Sequence, residues 1–124
     1  MWDYEINAFG ERLGLPSLAL NEEGRATLVI DDVGTLTLQK TGTQSAPELA
    51  LILSRPVQST EAAAHYRRIA EAVHWKRFAE RAVQAALFRD SLILTARMQE
   101  SEVSAALLEN VLRTLTALLD AARH

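Results

Sequence analysis

Between residues 25 and 53, apolar side chains return at every second position: Ala26, Leu28 and Ile30, then Leu36 and Leu38, then Leu49, Leu51 and Leu53. That period places each set on one side of an extended chain, and such a chain must pair with others and be covered. At both ends of the sequence the period is helical instead. Trp2, Ile6, Phe9 and Leu13 form a first stripe, and Val103, Leu107, Leu108, Val111, Leu112, Leu115, Leu118 and Leu119 form a last one. A chain of 124 residues that carries both periods has room for one core, in which helices pack on a sheet.

The first helix is predicted over residues 3–13, capped by Asp3 and stopped by Gly14-Leu15-Pro16. Asn21-Glu22-Glu23-Gly24 and Asp31-Asp32-Val33-Gly34 are turn sequences, so neighbouring strands pair antiparallel, with a short extra strand predicted at Leu18–Leu20. Thr41 to Pro47 reads as a polar loop. Leu49, Leu51 and Leu53 alternate with Ala50 and Ile52, which makes this strand either central or open on one face to a partner. Val29 adds to that apolar excess, and the competing reading is that helices cover both faces of the sheet.

Thr60 is predicted to cap a second helix carrying Ala62, Tyr66, Ile69 and Val73 on its stripe, with Arg67, Arg68 and Glu71 off it. Two strands follow, near Val83–Phe88 and Leu92–Met98, turning at Arg89-Asp90-Ser91; Trp75 to Leu87 also reads as a continued helix. Ser101 is predicted to cap the last helix. The fold class is α+β, as a single domain over 1–124: helix, three antiparallel strands, helix, two strands, helix, with a twisted antiparallel sheet packed by helices.

Chemistry-bearing motifs are few. His65 and His74 lie nine positions apart, which at about 100° per residue points them in opposite directions on one helix. With His124 at the end of the chain, all three histidines read as solvent-facing or interface residues, and no metal is expected. Glu71 and His74 make an ordinary surface pair, while Asp31 and Asp32 diverge within a turn. Five scattered glycines compose no phosphate loop. No catalytic residue, cofactor or metal is expected.

A net charge of −3 offers no general attraction to phosphate or anionic lipid, and neither nucleic acid nor membrane insertion is expected. Charge is polarised along the chain, however. Residues 1–64 hold nine acids and four bases, whereas His65 to Arg81 holds five bases (Arg67, Arg68, Lys76, Arg77, Arg81) and two acids. With Tyr66, Trp75 and Phe78 nearby this resembles an RNA-binding face, but Tyr66 belongs to the apolar stripe, and a solvated or dimer-facing surface is the simpler reading. The acidic first residues are unlike a signal peptide, and the absence of cysteine suits the cytosol.

One stretch carries a family resemblance. Phe9-Gly10-Glu11-Arg12-Leu13-Gly14-Leu15-Pro16, then Leu18-Ala19-Leu20-Asn21-Glu22-Glu23-Gly24, then Ala26-Thr27-Leu28-Val29-Ile30-Asp31-Asp32 is similar to the class I chaperones of type III secretion, the CesT family. The order of elements agrees along essentially the whole chain. Gly34 to Gln39, Leu49 to Arg55 and the leucine-rich last helix most resemble the SycN branch.

The resemblance implies a dimeric bacterial chaperone of the cytoplasm, active without ATP, that keeps the amino-terminal segment of a secreted effector or gatekeeper extended and export-competent. Its SycN aspect implies a heterodimer with a second small chaperone as an alternative to a homodimer. By position it implies client contacts at Phe9, Leu13, Leu28, Ile30, Leu36, Leu38, Leu51 and Leu53. It implies a dimer interface near Tyr66, Ile69, Val73, Trp75 and Phe88. The alanine-rich run Arg81 to Phe88 departs from the family's strand pattern. A regulatory or scaffold domain with a cytosolic partner is the alternative function.

Overall fold

The structure, a computed structural model, describes residues 2–58, 60–75 and 83–121, without the side chains of 73–75. Lys76, Arg77, Phe78, Arg81 and His124, and the side chains of Val73, His74 and Trp75, lie outside the described residues.

Helix α1 (Trp2–Arg12) buries Trp2, Ile6, Phe9 and Gly10. Its stop works through backbone hydrogen bonds: Leu15 N donates to Gly10 O at 2.7 Å and Gly14 N to Glu11 O at 3.0 Å, with Gly14 at φ +79°. This is a Schellman arrangement, and it needs a residue tolerant of positive φ at position 14. Residues 18–20 form no strand, contrary to the sequence prediction. Leu18 instead packs on α1, so closely that a Cβ on Gly10 would come within 2.6 Å of it. The chain then turns through Asn21, whose side-chain oxygen accepts from Glu23 N and Arg25 N.

Strands β1 (Arg25–Ile30), β2 (Gly34–Gly42), β3 (Pro47–Pro56), β4 (Val83–Phe88) and β5 (Ser91–Gln99) make one antiparallel sheet in the order β1-β2-β3-β5-β4. β3 is therefore central, with Leu49, Leu51 and Leu53 on one face and Ala50 and Ile52 on the other. The polar loop before it is shorter than predicted, because pairing continues to Gly42 opposite Pro47. Residues 83–88 are strand and not helix: Arg89, at φ +55°, turns the chain so that Phe88 pairs with Ser91 and the alanines join the β5 ladder.

Helix α2 (Ala62–Trp75) has its cap one residue beyond the expected Thr60, since the first helical bond runs from His65 N to Glu61 O at 3.0 Å and leaves the cap position to Glu61. Helix α3 (Ala105–Ala121) is capped by Ser104, not Ser101, with Leu107 N donating to Ser104 Oγ at 3.0 Å. Ser101 is taken up by a 3₁₀ turn over Glu100–Glu102. Glu5 of α1 adds a second cap, accepting from Ala105 N at 2.9 Å.

The register assigns the two sheet faces. Leu36, Leu38, Leu49, Leu51, Leu53, Leu92, Leu94, Ala96 and Met98 lie on one face and are buried with helix residues Phe9, Ile69, Leu108 and Leu115 in a continuous core. α3 lies over β3, α2 over β4 and β5, and α1 beside α3. The helices thus bury one sheet face only, not both. On the other face Thr27, Thr37, Ile52, Thr95 and Gln84 form one cross-strand row, and Val29, Thr35, Ser54, Ile93 and Ala86 form the next. Arg25 Nε donates to Gln39 Oε1 at 2.6 Å and Arg97 Nη1 to Gln84 Oε1 at 3.2 Å across that open face.

Candidate functional site: a strand edge and a groove

Strands β1 and β4 are the sheet's margins, each paired on one side. At the start of β1 both outward backbone groups are satisfied: Arg25 N donates to Asn21 Oδ1 at 3.0 Å, and Arg25 O accepts from Asn21 N at 2.9 Å. Alternation along an unbulged antiparallel strand then directs the N–H and C=O of Thr27 and Val29 outward too. Among the described residues nothing pairs with them. The Val29 side chain beside them is 76% exposed, while Leu28 and Ile30 are half-buried against the core. An edge of this kind is a template for another extended chain.

At the β1–β2 turn, Val33 N donates to Ile30 O at 3.0 Å and Asp32 sits at φ +63°. Asp31 and Asp32 are exposed there. Gly34 (φ +141°) brings this turn against β3, where an added Cβ would lie 2.4 Å from Ser54 O. Arg55 reaches it from the end of β3, donating from Nε to Val33 O at 2.8 Å and from Nη1 to Asp120 Oδ1 of α3 at 2.8 Å. A groove of about 710 Å³ opens at this end of the sheet, between the turn, the start of α2 and the end of α3.

The residues expected to meet a client divide by burial. Phe9, Leu36, Leu38, Leu51 and Leu53 have no accessible surface in the free chain. Their alternation identifies the covered face, not an open one. Leu13, Leu28 and Ile30 are partly buried at its margins. Of the expected interface residues, Ile69 is buried, Tyr66 half-buried, and Phe88 61% exposed. His65 is buried, contrary to the solvent-facing or interface position expected of it, because it falls on the α2 stripe; its Nε2 lies 4.0 Å from Glu61 Oε2. Sequence reasoning missed Arg55, although it follows Leu49, Leu51 and Leu53 at the same alternation and so had to join the covered face. It also passed over the edge role of Thr27 and Val29, which depends on strand order.

No group of three or more histidine, aspartate or glutamate side chains suited to a metal occurs among the described residues. Nor is any described helix long and apolar enough to cross a membrane.

Helices on one sheet face, an open second face and an edge strand unpaired among the described residues suit a class of small α+β proteins that hold extended polypeptide. The chain belongs to the Tir chaperone protein (CesT) family, whose model matches residues 5–123. No curated protein matches it in sequence. Its fold is that of the Yersinia pestis type III secretion chaperone SycH, solved in complex with a stable fragment of YscM2, with a TM-score of 0.67 at 20% identity, covering 98% of this chain and 97% of that one. A chain of the HopA1–SchA chaperone–effector complex shares the fold at a TM-score of 0.56 and 16% identity, covering 98% and 90%. A chain of the ExsC–ExsE complex is 27% identical at a TM-score of 0.61, covering 97% and 86%.

Proposed function

We propose that this chaperone holds the amino-terminal segment of a secreted effector or gatekeeper protein in extended form, without ATP and without catalysis, in the bacterial cytoplasm. The observation that carries the reading is the β1 edge, where unpaired N–H and C=O groups of Thr27 and Val29 stand beside an exposed valine. A client strand added there gains backbone hydrogen bonds whatever its sequence. Similar structures were solved with a fragment of YscM2, within a chaperone–effector complex and with ExsE, which supports the same use here. Leu13, Leu28 and Ile30 are the client-facing residues of this reading. Phe9, Leu36, Leu38, Leu51 and Leu53 support them from beneath.

The chain acts as a dimer in this reading, with Tyr66 and Phe88, and Val73 and Trp75 as the resemblance implies, toward the second subunit; Ile69 contributes from the core. A homodimer and a SycN-like heterodimer differ in the mass of the purified assembly. Copurification with mass spectrometry from the native bacterium tests the function. A secreted protein bound through its amino-terminal segment is the expected result, and exclusively cytosolic partners would favour a regulatory or scaffold domain.

A further inference from the structure

Arg55 is a buried charge on the sheet's covered face, with its side chain 8% exposed. Nε and Nη1 are spent on Val33 O and Asp120, but Nη2 is buried with no acceptor among the described residues. A buried guanidinium N–H without a partner is uncommon, because losing its water and gaining nothing is unfavourable. Arg55 also lines the groove at this end of the sheet. The unpaired donor and the cavity are separate observations at one place, and together they point to an acceptor that arrives from outside the chain.

The surrounding charge narrows what that acceptor is. Asp31, Asp32 and Glu61 line the groove, and Asp120 already neutralises Arg55. His65 is the remaining titratable group in the lining. One arginine facing four carboxylates repels phosphate and carboxylate ligands, whereas a neutral carbonyl meets no such barrier. The same carboxylates attract a cation. The groove also continues from the β1 edge, since Val29, whose outward backbone is unpaired, belongs to its lining along with Ile30 and Val57.

We propose that the groove receives a lysine- or arginine-bearing segment of a bound polypeptide. A main-chain carbonyl of that segment accepts from Arg55 Nη2, and its cation sits among Asp31, Asp32 and Glu61. The proposal rests on the polypeptide-binding reading and adds a residue-level preference to it. Nη2 is screened from solvent in the free chain, so engagement displaces a lining side chain, and exposed Gln58 is placed to give way.

The test uses the full chain with short synthetic peptides of alternating valine and threonine, one series with a central lysine and one with glutamate in its place. Binding is followed by NMR on the Arg55 guanidinium N–H signals. The lysine peptide is expected to shift those signals, and to bind about tenfold more tightly than the glutamate peptide, the factor that about 1.4 kcal/mol of charge preference gives. The exposed-residue variant Asp31→Asn/Asp32→Asn/Glu61→Gln should lose the preference while keeping its fold; asparagine suits the positive φ at position 32. Equal affinity for the two peptides, unmoved Arg55 signals, or no binding at millimolar peptide would overturn the proposal. A secreted client captured equally by native and variant chains would overturn the groove and leave the chaperone reading standing. Lysine-peptide binding at Arg55 with no secreted client would do the reverse.

Discussion

Leu51 and Val29 separate stability from binding, because both are apolar strand residues and the register puts them on opposite faces. Leu51 has no accessible surface and lies between Leu38 on β2 and Ala96 on β5. Hydrogen-bonded ladders hold both neighbours, so the space left by Leu51→Ala cannot close by moving a strand. The loss is then expected in the upper part of the range for such truncations, about 3–5 kcal/mol. That is a large share of the roughly 5–15 kcal/mol by which small domains are stable. Val29 is 76% exposed, so Val29→Asp gives up about a quarter of a valine's burial plus some strand preference, together about 1 kcal/mol. Urea unfolding followed by circular dichroism measures the first quantity, and capture of the client measures the second. The expected pattern is a strongly lowered unfolding midpoint for Leu51→Ala with binding retained by the fraction still folded. Val29→Asp should show a nearly native midpoint with weakened capture. If Leu51→Ala abolished capture at an unchanged midpoint, the assignment of the two faces would be refuted.

Glu5→Ala removes the carboxylate that receives Ala105 N and should lower stability by about 0.5–2 kcal/mol, read from the same urea transition. Gly34→Ala places a Cβ 2.4 Å from Ser54 O at φ +141° and should cost about 2 kcal/mol or more, seen as a lower midpoint with faster amide exchange in the β1–β2 hairpin. Asp120→Ala leaves the buried Arg55 without its anionic partner; as Asp120 is itself half exposed, a loss of about 1–3 kcal/mol is expected, and Asp120→Asn, which keeps an acceptor, should recover part of it.

How far the site was legible in the sequence depends on which interactions form it. The turn at Asp31 to Gly34 and the alternation on either side were plain, and so was the surplus of strand leucines. What that surplus meant was not, because alternation says that two residues share a face without saying which face is covered. Only after α1, α2 and α3 take one side do Leu36, Leu38, Leu51 and Leu53 become interior and Val29 exterior. Leu18–Leu20 misled for a related reason. The three residues alternate well enough for a strand, but the absence of a side chain on Gly10 lets Leu18 settle on α1 instead. The caps of α2 and α3 moved by one and three residues, to Glu61 and Ser104, because the cap falls where the packed helix starts and not at the first Ser or Thr that precedes it.

By itself the sequence determined the elements and their order, since period and turn chemistry are local properties of neighbouring residues. It determined the family as well, through a pattern running along the whole chain. Tertiary structure alone decided that β1 is an edge, that its Thr27 and Val29 keep unpaired backbone groups, and that Arg55, Asp120 and Val33 meet. Strand order and the side on which helices pack are set by contacts between residues far apart in the chain. Asp120 lies 65 positions from Arg55, and no period along the sequence records that meeting.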